Sequence, residues 1–171
     1  CQEIESWGVD LEDRMVEETR SKGIHAVQAD GLEALDSVED ASLGGVFSAQ
    51  VIEHMYPGEI MAFLNLSRRK IAEGGRFVLE TLNPSSIAVL TKSYFRDLDH
   101  KQPLHPEYMK MIIKMAGFID VQLHYTSPFT PEEQVPPLPS AVKMKISQEA
   151  HNAIQDKFNL VNDIFYGMQD Y

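Results

Sequence analysis

One cysteine, Cys1, occurs in the 171 residues, so an internal disulfide is excluded. The default compartment for such a chain is a reducing cytoplasm. No apolar run approaches the roughly 18 residues that a membrane span needs, and no secretory leader pattern opens the chain. Position 1 is not methionine, so the natural N-terminus is expected upstream. Internal repeats are absent. Basic charge is scarce where acid is dense. Residues 1–60 hold 14 acidic and 3 basic side chains, a balance of −11, while residues 61–171 hold 12 of each. Such a surface repels phosphate backbones and disfavours sequence-independent nucleic-acid binding. The one tight basic cluster, Arg68-Arg69-Lys70, falls at the end of an expected helix, where it complements the helix dipole.

What is present is globular. Hydrophobic residues make up 43% and charged residues 24%, enough for one domain with a core of its own. Short β-rich runs alternate with helical stretches, which implies α/β architecture around a largely parallel sheet. Strands are expected at 4–9, 24–29, 46–49, 76–81 and 121–125, the third of them buried. Helices are expected at 12–22, 32–38, from Pro57 to about Ala72, from His105-Pro106 to Gly117, and at 147–165. Gly23, Gly74-Gly75 and Gly117 act as stops, and Pro57 suits a first helical turn. Residues 127–140 carry five of the nine prolines and read as a loop or covering strap. Beyond it, Ala150, Ile154, Phe158, Val161 and Phe165 share one helical face, so the last helix is expected to pack on a neighbour. The organisation expected is a core at 1–126, a Pro-rich loop at 127–146, and a C-terminal helical segment at 147–171.

Two acidic residues close adjacent strands. Gly8-Val9-Asp10-Leu11 is followed, twenty residues on, by Gln28-Ala29-Asp30-Gly31. In doubly wound folds ligands lie outside the carboxyl ends of the strands, where a carboxylate can accept both hydroxyls of a ribose. Either aspartate alone is also an ordinary helix cap. The run Phe47-Ser48-Ala49-Gln50-Val51-Ile52-Glu53-His54-Met55, with Pro57 behind it, adds a second element. Lys70–Pro84 contains Gly-Gly-Arg-Phe-Val-Leu-Glu-Thr-Leu-Asn-Pro. Ala116-Gly117-Phe118-Ile119-Asp120-Val121 and Asp99-His100-Lys101-Gln102-Pro103-Leu104-His105-Pro106 complete the series.

Taken in order, these segments resemble the S-adenosylmethionine-dependent methyltransferases of the Rossmann-like class, over about residues 4 to 125. The segment at 99–106 is similar to a subset linked to saccharide or lipid modification. The resemblance implies a doubly wound sheet of order 3-2-1-4-5-7-6 with helices on both faces. It implies S-adenosylmethionine as cofactor, with Asp10 on the ribose hydroxyls and Leu11 against the adenine. Asp30 would accept the adenine amino group, the Gly31 backbone would read the ring edge, and Gln50 would approach the methionine moiety. The family's first strand and Gly-x-Gly loop would precede Cys1, and its seventh strand would follow Tyr171. Without the first strand, the second and fourth lack their shared neighbour, so the sequence is read as a fragment of a longer protein.

The activity implied is methyl transfer, with oxygen on a small-molecule or saccharide-type acceptor as the expected target. His54 is the candidate base, because histidine titrates near neutrality, and Glu53 is its partner. Alternatively both side chains bond backbone at the start of the next helix. A third reading involves metal. Gln50-x-x-Glu53-His54 is similar to the Glu-x-x-Glu-His of methyltransferases that act on small-RNA 3′ ends and hold a divalent ion with a distant histidine. His100 and His105 are available for that place, but Gln50 replaces a hard-cation ligand, and no metal is expected. His105 can instead shape the turn at Pro106. Tyr94, Phe95 and Tyr125 could line an apolar acceptor site or belong to the core. A non-catalytic binding or assembly module remains open from the sequence, as does a homodimer through the strap or last helix.

Overall fold

The computed structural model describes residues 5–139 and 146–166. Expectations for Ile4, for residues 140–145 of the Pro-rich loop and for residues 167–171 lie outside them. The chain divides into two compact units. One comprises Cys1–Ser48 with Pro57–Leu79, the other Ala49–Tyr56 with Glu80–Tyr171.

The first unit begins with β1 (Trp7–Asp10), α1 (Asp13–Ser21), β2 (His25–Gln28) and α2 (Gly31–Ser37). β1 and β2 are parallel, with Trp7 opposite His25 and Asp10 opposite Gln28. The crossover is short because α1 stops at once. The backbone turns at Gly23, whose φ of +81° is the left-handed conformation glycine tolerates. Val16 on α1 and Ala26 on β2 are buried, so the apolar side of a mostly polar helix lies against the strand it leads into.

β3 (Leu43–Ala49), α3 (Pro57–Lys70) and β4 (Ile71–Glu80) follow. Gly45 lies against the Arg76 backbone, and Gln50 N donates to Glu80 O at 2.9 Å, so β3 and β4 run in the same direction. A Cβ at Gly45 would stand 2.9 Å from the Arg76 carbonyl oxygen, so that approach requires glycine. α3 buries Ile60, Phe63 and Leu64, and Phe63 meets Phe77 of β4 edge-on at 5.8 Å. α3 ends at Lys70 and β4 starts at Ile71, so Gly74-Gly75 falls inside the strand rather than after the helix. Buried Ile71 is held as strand, which overrides the helical continuation its periodicity suggests.

Among the described residues the four strands form two separate two-stranded sheets, β1–β2 and β3–β4. The small size of these sheets falls short of the seven-strand order that the resemblance implies. It also corrects the reading of residues 46–49 as a buried strand. Only Ser48 of these is buried, and Phe47 is 66% exposed, because a two-stranded sheet leaves alternate side chains uncovered. Residues 121–125 form no strand. A strand exists only within a ladder, and the ladders among the described residues are the two just named.

The second unit contains a 3-10 turn at Ile52–His54, α4 (Ile87–Lys92), another 3-10 turn at Tyr94–Arg96, α5 (Pro106–Met115) and α6 (Gln148–Tyr166). Its buried side chains include Ile52, Ala88, Tyr94, Leu104, Met109 and Ile112. α4 was not legible as a helix, although Ser86 caps it by accepting from Val89 N at 3.2 Å. The same hydroxyl donates to Phe165 O of α6 at 3.0 Å. α6 meets the Pro-rich strap through polar side chains. Asn162 Oδ1 accepts from Val135 N at 2.8 Å and its Nδ2 donates to Val135 O at 3.0 Å. Gln155 Oε1 accepts from Leu138 N at 2.9 Å. The expected apolar face is only half borne out. Ala150, Phe158 and Val161 are half-buried, but Ile154 and Phe165 are exposed, while Gln155 and Asn162 take inner positions to serve the strap.

Candidate active site

β1 and β2 deliver their acids to one end of the first sheet. Asp10 is the last residue of β1, and Ala29 N donates to its carbonyl at 3.1 Å. Its Oδ1 accepts from Glu12 N at 2.8 Å, and no hydrogen bond among the described residues engages Oδ2. Asp30 caps α2, its Oδ1 accepting from Leu32 N at 2.8 Å and Glu33 N at 3.1 Å. Its second oxygen is likewise uncommitted among these bonds. Leu11 beside them is 68% exposed, an apolar surface without protein cover. Gln28 Nε2 donates to Leu11 O at 3.0 Å and fixes the backbone there. A Cβ at Gly31 would meet nothing within 4 Å, so the backbone at that position is open.

In the second unit, Gln50 has a φ of +53°. A non-glycine residue in that region is strained by about 1 kcal/mol or more, and such strain concentrates at functional positions. Glu53 and His54 occupy the 3-10 turn that follows, anchored by fully buried Ile52. Glu53 is 1% exposed, and neither carboxylate oxygen has a hydrogen-bond partner among the described residues. The capping role considered for its side chain is therefore not what the structure contains.

A loop from the second unit is stapled to this turn by Lys101 N, which donates to Glu53 O at 2.8 Å. That bond brings His100 to His54, with ring centroids 4.7 Å apart. His100 also stacks on Tyr94 at 4.6 Å. Its Nδ1 lies 2.7 Å from Tyr94 O, and a carbonyl only accepts, so the Nδ1 carries the proton. His54 Nδ1 faces Asp99 Oδ2 at 3.5 Å. The Lys101 ammonium, hydrogen-bonded to Asp99 at 2.6 Å, holds that carboxyl below its ordinary value, with a smaller contribution from His54. Burial first, then the neighbouring Glu53 charge, pushes the Tyr94 phenol up. Tyr94 OH is itself buried with no hydrogen-bond partner among the described residues.

Of the two distant histidines, His100 joins Glu53 and His54, whereas His105 does not. His105 caps α5, accepting from Glu107 N at 3.3 Å through Nδ1, with Nε2 3.4 Å from Ser85 Oγ. Tyr94 belongs to both core and site, while Phe95 is 66% exposed. Asp99 was not singled out from the sequence. Its adjacency to His100 was a usable signal, but its contact with His54 depends on a long-range backbone bond.

Parallel strands joined through a helical crossover make this an α/β protein of the Rossmann-like class. A family model described as a methyltransferase domain matches residues 2–79. The crystal structure of a SAM dependent methyltransferase from Archaeoglobus fulgidus is similar at a TM-score of 0.88 and 30% identity, covering 97% of this chain and 73% of that one. No curated protein matches the chain. The chain belongs to the S-adenosylmethionine-dependent methyltransferases. It is an enzyme of that family, and its cofactor is S-adenosylmethionine. Among the described residues no helix is long and apolar enough to cross a membrane.

Proposed function

We propose that the enzyme transfers the methyl group of S-adenosylmethionine to a hydroxyl of a small-molecule or saccharide-type acceptor. The adenosine end of the cofactor is assigned to Asp10, Leu11, Asp30 and Gly31. Asp10 accepts the ribose hydroxyls, Leu11 covers the adenine, Asp30 accepts its amino group and Gly31 lies along the ring edge. The observation that carries this assignment is the pair of aspartates closing adjacent parallel strands, each with one carboxylate oxygen left over. Gln50 is assigned to the methionine end on the family resemblance, and its left-handed backbone supports a constrained role.

Glu53, His54 and His100 are the groups proposed to act on the acceptor. Methyl transfer needs an acceptor oxygen in line with the sulfonium carbon, and the hydroxyl must lose its proton on the way. Two imidazoles beside a buried carboxylate suit that demand better than any other cluster of the described residues.

Calorimetric titration of S-adenosylmethionine into the full-length protein and its Asp10→Ala variant tests the cofactor assignment. Losing a charge-assisted pair of hydrogen bonds costs about 1.5–3 kcal/mol, which weakens binding roughly 10- to 100-fold. Unchanged affinity in the variant would refute the role of Asp10. No heat at millimolar cofactor with the unaltered protein would refute the methyl-transfer reading.

A further inference from the structure

We infer that Glu53, His54 and His100 bind a divalent transition-metal ion. The three residues each offer a ligand atom, and these atoms all lie within 4.8 Å of one another. An ion held at about 2.1 Å from each donor needs separations of about 3–3.5 Å. Binding would therefore draw the three side chains together from the spacing they show without an ion.

Glu53 supplies the independent observation. A carboxylate that is 1% exposed, with neither oxygen hydrogen-bonded among the described residues, stands against the rule that buried charges are paired. Among the described residues no side chain hydrogen-bonds either Glu53 oxygen. A bound cation supplies the missing partner.

The histidines are arranged as metal-ligating imidazoles are. His100 donates from Nδ1 to the Tyr94 carbonyl, so its Nε2 keeps the lone pair. His54 turns Nδ1 towards the Asp99 carboxylate and leaves Nε2 for the ion. Asp97 Oδ2, 4.0 Å from His100 Nε2, adds negative charge at the same place.

Two imidazoles and one carboxylate favour zinc, manganese, iron or cobalt over magnesium or calcium, which take oxygen ligands. Three protein ligands leave coordination positions open to an acceptor oxygen. Metal binding stands on this geometry alone, whereas its use in catalysis rests on the methyl-transfer reading. In that use the ion lowers the pKa of the bound hydroxyl, whose proton passes to solvent. The oxygen forms its bond to the methyl carbon as the carbon–sulfur bond breaks, and neutral S-adenosylhomocysteine leaves. His54, its lone pair committed to the ion, is then a ligand rather than the base.

Titration of chelator-treated, untagged full-length protein with Co2+, followed by visible ligand-field absorption, is the test. The expected result is saturation at one equivalent, displaced by Zn2+. Glu53→Gln and His100→Gln are each expected to weaken binding about tenfold or more, as loss of a ligand exceeds the usual cost of disturbing its supporting partners. His105→Gln should bind as the unaltered protein does. Circular dichroism reports whether each variant is folded, and His100→Gln carries the test if Glu53→Gln is not. Absence of cobalt bands, or a folded ligand variant with unchanged affinity, would overturn the inference. S-adenosylmethionine calorimetry on the same sample reports separately on the methyl-transfer reading.

Discussion

Lys70 carries its ammonium inward with only 5% of its side chain exposed. There it donates to the carbonyls of Asp36, at 3.0 Å, and Val38, closing the end of α2, and it meets Asp40 at 2.9 Å. A cation at a helix C-terminus satisfies carbonyls that the helix cannot. Lys70→Met keeps most of the volume but abandons those acceptors, and we expect a loss of about 2–3 kcal/mol in urea unfolding. The pH dependence has a definite sign. The Lys70 hydrogen bond holds the Asp40 carboxyl below its ordinary value, its desolvation opposing. A depressed native pKa stabilises fully above the unfolded value, near 4, and that contribution disappears as pH falls through the native value. Asp40→Asn should therefore flatten this part of the acid limb of a stability-versus-pH curve and leave the alkaline limb unchanged.

α3 shows how an element can carry more than its own residues. Leu64 is fully buried, with Ile60 and Phe63 on the same side, and the helix passes directly into β4. Leu64→Ala should cost about 3 kcal/mol, because the cavity term adds to the lost transfer energy. Denaturant unfolding should show the midpoint falling with the slope unchanged. A cost below about 1 kcal/mol would mean that the site collapses around the smaller side chain. The helices were the most legible elements in the sequence, for caps and stops are local. α1, α3, α5 and α6 lie within a few residues of their expected bounds. α4 was hidden behind Asn83-Pro84-Ser85-Ser86, a run that reads as loop until Ser86 is recognised as a cap. Strands were less legible, since they depend on partners. Residues 121–125 have strand-like composition, yet composition cannot provide a ladder.

At the scale of the whole molecule, the charge of −11 is the dominant long-range property. Acid concentrated in residues 1–60 should prevent retention of duplex DNA at about 0.15 M salt, where screening still leaves phosphate repulsion. A gel-shift experiment checks this, and a retained complex would show a local basic surface that the net charge conceals. The site was legible in uneven fashion. Asp10 and Asp30 could be read because strand ends and spacing are local properties. Glu53 and His54 could be read as a pair for the same reason. That His100 and not His105 would join them could not be read, because one backbone bond between Lys101 and Glu53 decides it. Nor does any sequence pattern announce that the Glu53 carboxylate is buried and unpartnered.

The clasp between strap and α6 amounts to a length standard. Gln155 and Asn162 are seven residues apart, about 10.5 Å along the helix. Val135 and Leu138 are joined through Pro136-Pro137, and three residues at the rise of about 3.1 Å that polyproline takes would span about 9.3 Å. Two turns of helix thus gauge three residues of strap, the prolines keeping the measured length stiff. One residue more or fewer between 135 and 138 would put the two fastenings out of phase, so that either could close but not both.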